Sequence, residues 1–164
     1  MFSHPDGRPA KYLGNGTLAF IITGAGAGYF RYAPGTAGTL VAVPLSVLLN
    51  SIAAPFPYAG ALLFALFLIA AASLCRLGEK IFGEKDSQKI VIDEIAGFLL
   101  ATFQVPPTYK TLALAFLLFR FFDIMKVFPA ALLERRENGV LLDDLVAGLY
   151  TLLILRVVLY WELL

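Results

Sequence analysis

The sequence predicts an all-α membrane protein: a polytopic bundle of about five spanning helices, preceded by an N-terminal half-buried or re-entrant helix. Three observations carry that expectation. Hydrophobic residues make up 59% of the 164 residues and charged residues 15%, where soluble domains are about half apolar and about a quarter charged. Long uncharged runs are separated by proline breakers. The charges gather at the ends of those runs. The mean hydropathy of +0.79 agrees.

Taken in chain order, the tail MFSHPDGRPAK (1–11) is polar, holds the only histidine, His4, and lacks a signal-peptide pattern. Residues 12–30 are uncharged, but Gly14, Gly16, Gly24, Gly26 and Gly28 argue against a straight span and for a half-buried or re-entrant helix. Residues 37–54 and 58–75 are uncharged runs of 18 residues each, near the lower limit for crossing a bilayer core. PFP at 55–57 separates them, so they read as a helical hairpin entered at Thr39. Ile95–Val105 and Thr111–Phe119 are shorter and reach spanning length only with their charged flanks. PP at 106–107 joins them into a second hairpin. Leu145–Leu164 is the last span, with Tyr160 and Trp161 placed as an interfacial pair. The length suits one domain, 1–164.

Net charge and cysteine usage exclude several classes. A formal charge of +1 offers no electrostatic case for nucleic acid. Cys75 is the only cysteine, so there is neither an intramolecular disulfide nor a Cys/His metal cluster. Cys75 and Met125 read as apolar filler.

The segment 76–89 carries Arg76, Lys80, Lys85 and Lys89, which the positive-inside rule assigns to the cytoplasm. Alternating hairpins then bring PGTAGT (34–39), Asp93–Glu94, Arg120–Asp123–Lys126 and Asp143–Asp144 to one membrane face. At about 100° per residue, Arg120, Asp123 and Lys126 form one stripe covering roughly a third of their helix. DEIAGFLL and DDLVAGLY each place adjacent acids ahead of a glycine, which would let two helices approach closely.

Each motif also has a plainer role. Acids at helix starts favour the macrodipole. Thr36 and Thr39 fit N-caps. Arg120 fits a structural partner of Asp123. Glu79, Glu84 and Asp86, mixed with lysines, read as a solvated loop. Convergence favours chemistry instead: Asp93, Glu94, Asp123, Asp143 and Asp144 make a hard oxygen-rich set, suited to magnesium or manganese. Arg120 and Lys126 add cations for a phosphate. Together they describe a phosphoryl-transfer or phosphate-hydrolysis site.

IVIDEIAG (90–97), FRFFDIMKVFP (119–129), LLDDLVAG (141–148) and YAPGTAGTL (32–40) together resemble the phosphatidylglycerophosphatase A family, in order over about residues 20–150. The resemblance implies a magnesium-dependent, multi-pass lipid phosphatase of the bacterial inner membrane. Its substrate would be phosphatidylglycerophosphate and its product phosphatidylglycerol, with the active site on the cytoplasmic face. It implies Asp93, Glu94, Asp143 and Asp144 as metal ligands, Asp123 as ligand or general base, and Arg120 and Lys126 on phosphate oxygens. Thr36 and Thr39 would add hydroxyl and N–H donors. One departure stands out: where the family has a glycine-rich stretch before the paired aspartates, ERRENGVLLDD is shorter and keeps only Gly139.

Two alternatives compete. A small transporter or channel would place its charges near the bilayer midplane, whereas these gather at one boundary. A lipid phosphotransferase would carry the long D-x2-D-G-x2-A-R signature, which is absent.

Overall fold

The computed structural model describes residues 16–125 and 139–162. Among these residues the fold is all-helical, with six α-helices and one 3-10 helix. They are α1 (Gly16–Ile22), the 3-10 helix (Ala27–Tyr29), α2 (Pro34–Ala53), α3 (Pro57–Phe82), α4 (Ile92–Ala101), α5 (Tyr109–Met125) and α6 (Gly139–Tyr160).

The glycine-rich N-terminal run does break. After Ile22 the backbone turns through left-handed Gly24, Ala25 and Gly26 before the 3-10 helix. α1 packs on α3 and the 3-10 helix on α2. The Val91 N–H donates to the Ile22 carbonyl at 3.1 Å, tying this segment to the loop before α4.

α2 starts five residues before the expected entry at Thr39. Pro34 occupies the first turn, where its locked φ suits a helix and its missing N–H costs nothing. The threonines are therefore not N-caps: Ala33 holds the cap position and no side chain caps it. Thr39 lies inside the helix, fully buried, and its hydroxyl donates to the Gly35 carbonyl at 2.8 Å.

α2 and α3 are long and apolar enough to cross a bilayer, with mean hydropathies of 1.6 and 2.2 in their best windows. At 1.5 Å per residue they measure about 30 and about 39 Å. α3 leaves Leu62, Leu66 and Ile69 exposed on its outer surface, as a lipid-facing helix does.

α4 departs from the expectation of a full span. It has 10 residues, about 15 Å, or half a bilayer core. Instead of facing lipid, it is the buried centre of the bundle. Ile92, Asp93, Ile95, Ala96, Gly97, Phe98, Leu99 and Ala101 are all buried, and α2, α3, α5 and α6 surround it. The polar backbone at its far end is satisfied from within the bundle, because burial removes it from water. Asn50 donates to the carbonyls of Ser46 and Thr102 at 3.0 and 2.9 Å. Ser46 donates to the Thr102 hydroxyl at 2.7 Å, and that hydroxyl donates to the Phe98 carbonyl. Arg156, unexpected inside an apolar run, donates to the Phe103 carbonyl at 3.3 Å.

The glycines of the two acidic motifs meet. A Cβ on Gly148 would run into the Gly97 carbonyl, and one on Gly97 would lie 2.6 Å from the Asp144 carbonyl oxygen. α4 and α6 thus cross backbone against backbone. Phe119 closes the same junction, edge-on to Phe98 at 5.9 Å.

That crossing leaves no room for a methyl group. Gly148→Ala should destabilise the protein by about 1–3 kcal/mol and lower its thermal unfolding midpoint in detergent. An unchanged midpoint would show that the two helices separate freely.

Candidate active site

The first turn of α4 presents Asp93 and Glu94, where acidic side chains favour the helix dipole. The Asp93 carboxylate accepts the Glu94 N–H at 3.1 Å. Because α6 crosses α4 at Gly97 and Gly148, the start of α6 lies beside this turn. Carboxylate oxygens of Asp93, Glu94 and Asp144 come within 4.8 Å of one another. Asp93 and Asp144 are buried and Glu94 nearly so.

These acids line a hollow of about 290 Å³ together with Asp123 from α5 and Asp143 from α6. All five carboxylates singled out from the sequence therefore share one cavity. Asp143 lines the hollow but stands outside the group of three. Arg120 pairs with Asp123 one turn away on α5. Gly35, at the start of α2, leaves space for the Arg120 guanidinium and the Glu94 carboxylate, both of which a Cβ there would touch. Thr36 is half-buried in the first turn of α2. Lys126 and the segment 134–138 lie outside the described residues.

Two atoms in this region want partners. Glu94 Oε2 and Arg120 Nε are both buried with no hydrogen bond among the described residues. Buried polar atoms are rarely left unsatisfied without cause. The donor chemistry fits a hard divalent cation against the carboxylates and an anion against the guanidinium.

The sequence reading missed part of the wall. Glu79 and Asp86 are not simply solvated: both line the acidic hollow, and the Asp86 N–H donates to the Glu79 carboxylate at 3.5 Å. Ser87 and Gln88 line it too. The available signal was spacing. Cys75 and Glu79 are four apart on α3, on one helix face, and Cys75 also lines the hollow.

The model of the phosphatidylglycerophosphatase A family matches residues 20–159. The chain belongs to the phosphatidylglycerophosphatase A family. It is 32% identical over 154 residues to a phosphatidylglycerophosphatase A of Haemophilus influenzae, covering 89% of this chain and 91% of that one. A putative phosphatidylinositol-3-phosphatase of Bacteroides thetaiotaomicron is 34% identical over 145 residues, covering 84% and 90%. The phosphatidylglycerophosphatase A of Escherichia coli is 28% identical over 149 residues, covering 88% and 85%. No solved structure matches the chain. Membership in the phosphatidylglycerophosphatase A family makes the chain an enzyme, a phosphatase.

If the clustered acids exist to hold a cation, they repel one another without it. Asp93→Asn and Asp144→Asn should each lose about a hundredfold or more in turnover, yet hold or raise the thermal midpoint in chelator. Near-normal turnover with a lowered midpoint would return these acids to plain helix capping.

Proposed function

We propose that the enzyme hydrolyses the terminal phosphomonoester of phosphatidylglycerophosphate, yielding phosphatidylglycerol and inorganic phosphate. Family membership supports the substrate. The observation that carries the chemistry is the trio Asp93, Glu94 and Asp144 beside Arg120. We further propose a multi-pass protein of the bacterial inner membrane, with about five spans counting α4 as a half-length one, and the site on the cytoplasmic face. The lysines and arginine of 76–89, next to the hollow, support that orientation.

In this reading Asp93, Glu94 and Asp144 hold magnesium or manganese, with Asp143 completing the set. When bound, the ion supplies positive charge against the phosphoryl oxygens and lowers the pKa of a water. Arg120 lies where its guanidinium fork grips phosphate oxygens, with Lys126 as a second cation. Asp123, held by Arg120, accepts a proton from the attacking water. The water oxygen bonds to phosphorus, the bond from phosphorus to the glycerol oxygen breaks, and that oxygen takes a proton from solvent, balanced when Asp123 releases to solvent the one it accepted. Thr36 offers a hydroxyl and the free N–H groups of the α2 start to the departing phosphate. Thr39 contributes by holding that turn, since its own proton is committed to Gly35.

A second reading concerns the head group. The Bacteroides relative is named for a phosphate on inositol, so the same site on a different polyol is the nearest competitor. Phosphate release from both lipids, measured side by side with purified protein, decides between them.

The release assay should require a divalent cation. Excess chelator should abolish turnover, and added magnesium should restore it; sustained turnover in chelator would remove the metal from the mechanism. The Arg120–Asp123 pair makes a second test. Arg120→Lys keeps the charge but loses the planar fork, and should cost about a hundredfold in kcat. Arg120→Leu combined with Asp123→Leu should be as inactive as the single changes. An active double mutant would make the pair a structural clasp.

A further inference from the structure

A second hollow lies against the acidic one and has the opposite character. Its volume is about 280 Å³, and Ser87 and Gln88 line both. Where the first is walled by carboxylates, the second has two cations, Arg31 and Lys89, and one acid, Glu84.

The fold builds this place deliberately from two distant segments. Gly28 sits directly on the Lys89 carbonyl, which any Cβ would strike. Together with the bond from Val91 to Ile22, this contact clamps the 22–30 segment onto the loop before α4. Arg31 and Lys89, far apart in sequence, are thereby brought to one cavity. Lys89 Nζ lies 5.5 Å from the centre of the Phe82 ring, which supports the ammonium without neutralising it. Pro34 also lines the cavity, so the uncapped start of the 20-residue α2 is beside it.

Ser87 is the atom that asks for a ligand. It is only 4% exposed, and its hydroxyl has no hydrogen-bond partner among the described residues. An oxyanion next to it would meet two cations, a helix start and an unspent donor. The surrounding segment exposes Phe30 together with Tyr29 and Tyr32, and tyrosines are amphipathic rings that settle at a lipid head-group boundary.

We infer that this second hollow binds the internal phosphodiester of the lipid, the phosphate that the reaction leaves in place. The inference rests on the phosphatase reading above. A lipid whose polyol carries the reacting phosphomonoester has two phosphates separated by that polyol. The enzyme has two adjoining hollows, one matched to the monoester and its cation, the other to the anionic diester. The diester then anchors the substrate and sets the reach of the head group. It also selects against phosphatidic acid, which has the phosphomonoester but no second phosphate.

The test compares two substrates in mixed micelles. Arg31→Gln and Lys89→Gln should each lower the ratio of kcat/KM for phosphatidylglycerophosphate to that for phosphatidic acid roughly tenfold, through KM, and Arg31→Lys should recover most of it. An unchanged ratio would overturn the inference, whether both substrates suffered equally, as for a bulk-lipid contact or a folding defect, or neither suffered at all. A binding measurement separates this from the activity itself. Dihexanoyl phosphatidylglycerol carries the diester and no terminal phosphate, so its affinity should fall about tenfold in the same two variants. Undiminished affinity would also overturn the inference. Wild-type protein that binds this probe but releases no phosphate from phosphatidylglycerophosphate would instead overturn the phosphatase reading.

Discussion

The site depends on how closely α4 and α6 approach. Gly97 and Gly148 remove the side chains that would hold the two backbones apart. Each glycine follows an acid by one helical turn, so the contact that joins the helices also stacks Asp93 and Glu94 against Asp144. Packing and electrostatics oppose each other here. Charged carboxylates held this close repel one another, and burial away from water strengthens the repulsion. The buried length of α4, with Phe98 and Phe119 closing the junction, holds them together regardless. The fold thus concentrates negative charge at one junction.

The shortness of α4 serves the same purpose. A longer α4 would emerge from the bundle and expose part of its surface. Stopping after 10 residues lets other helices enclose it on every side, which fixes the position of its first turn. The cost is a set of helix-end carbonyls buried inside the bundle. Ser46, Asn50 and Thr102 offset that cost through a connected set of hydrogen bonds, and Arg156 adds a separate one to the Phe103 carbonyl. One end of α4 is therefore a polar seal and the other a charged site, and the rigidity of the first supports the geometry of the second.

Much of this was legible in the chain. Uncharged runs broken by PFP and PP read directly as helical hairpins, because proline cannot continue a helix and lipid admits little besides helices. Of the acids that line the hollow, Asp93–Glu94 and Asp143–Asp144 were recognisable as pairs at run ends and Asp123 as part of a charged stripe, and the small residues after the pairs as a close contact. Other features were not legible. Glu79 and Asp86 sit among lysines, and local charge patterning looks the same whether a loop faces solvent or folds over a cavity. The start of α2 was misjudged because two threonines outrank a proline as caps by residue type, while the helix began at the proline. The length of α4 was misjudged because its apolar run continues past the point where the helix ends.

By itself, then, the sequence determined helix content, the hairpin order and the identity of the charged groups, since these follow from local propensity and from what a bilayer tolerates. Side-chain hydropathy is a property of each residue wherever it lies, so those features need no partner to be read. Only the tertiary structure decided which groups meet. The joining of Gly28 to Lys89, of Gly97 to Gly148 and of Asn50 to the end of α4 each links segments far apart in the chain. Such contacts depend on shape complementarity at a single crossing, where the presence of one methyl group decides the outcome, and no local pattern records which distant backbone will occupy the space a glycine leaves.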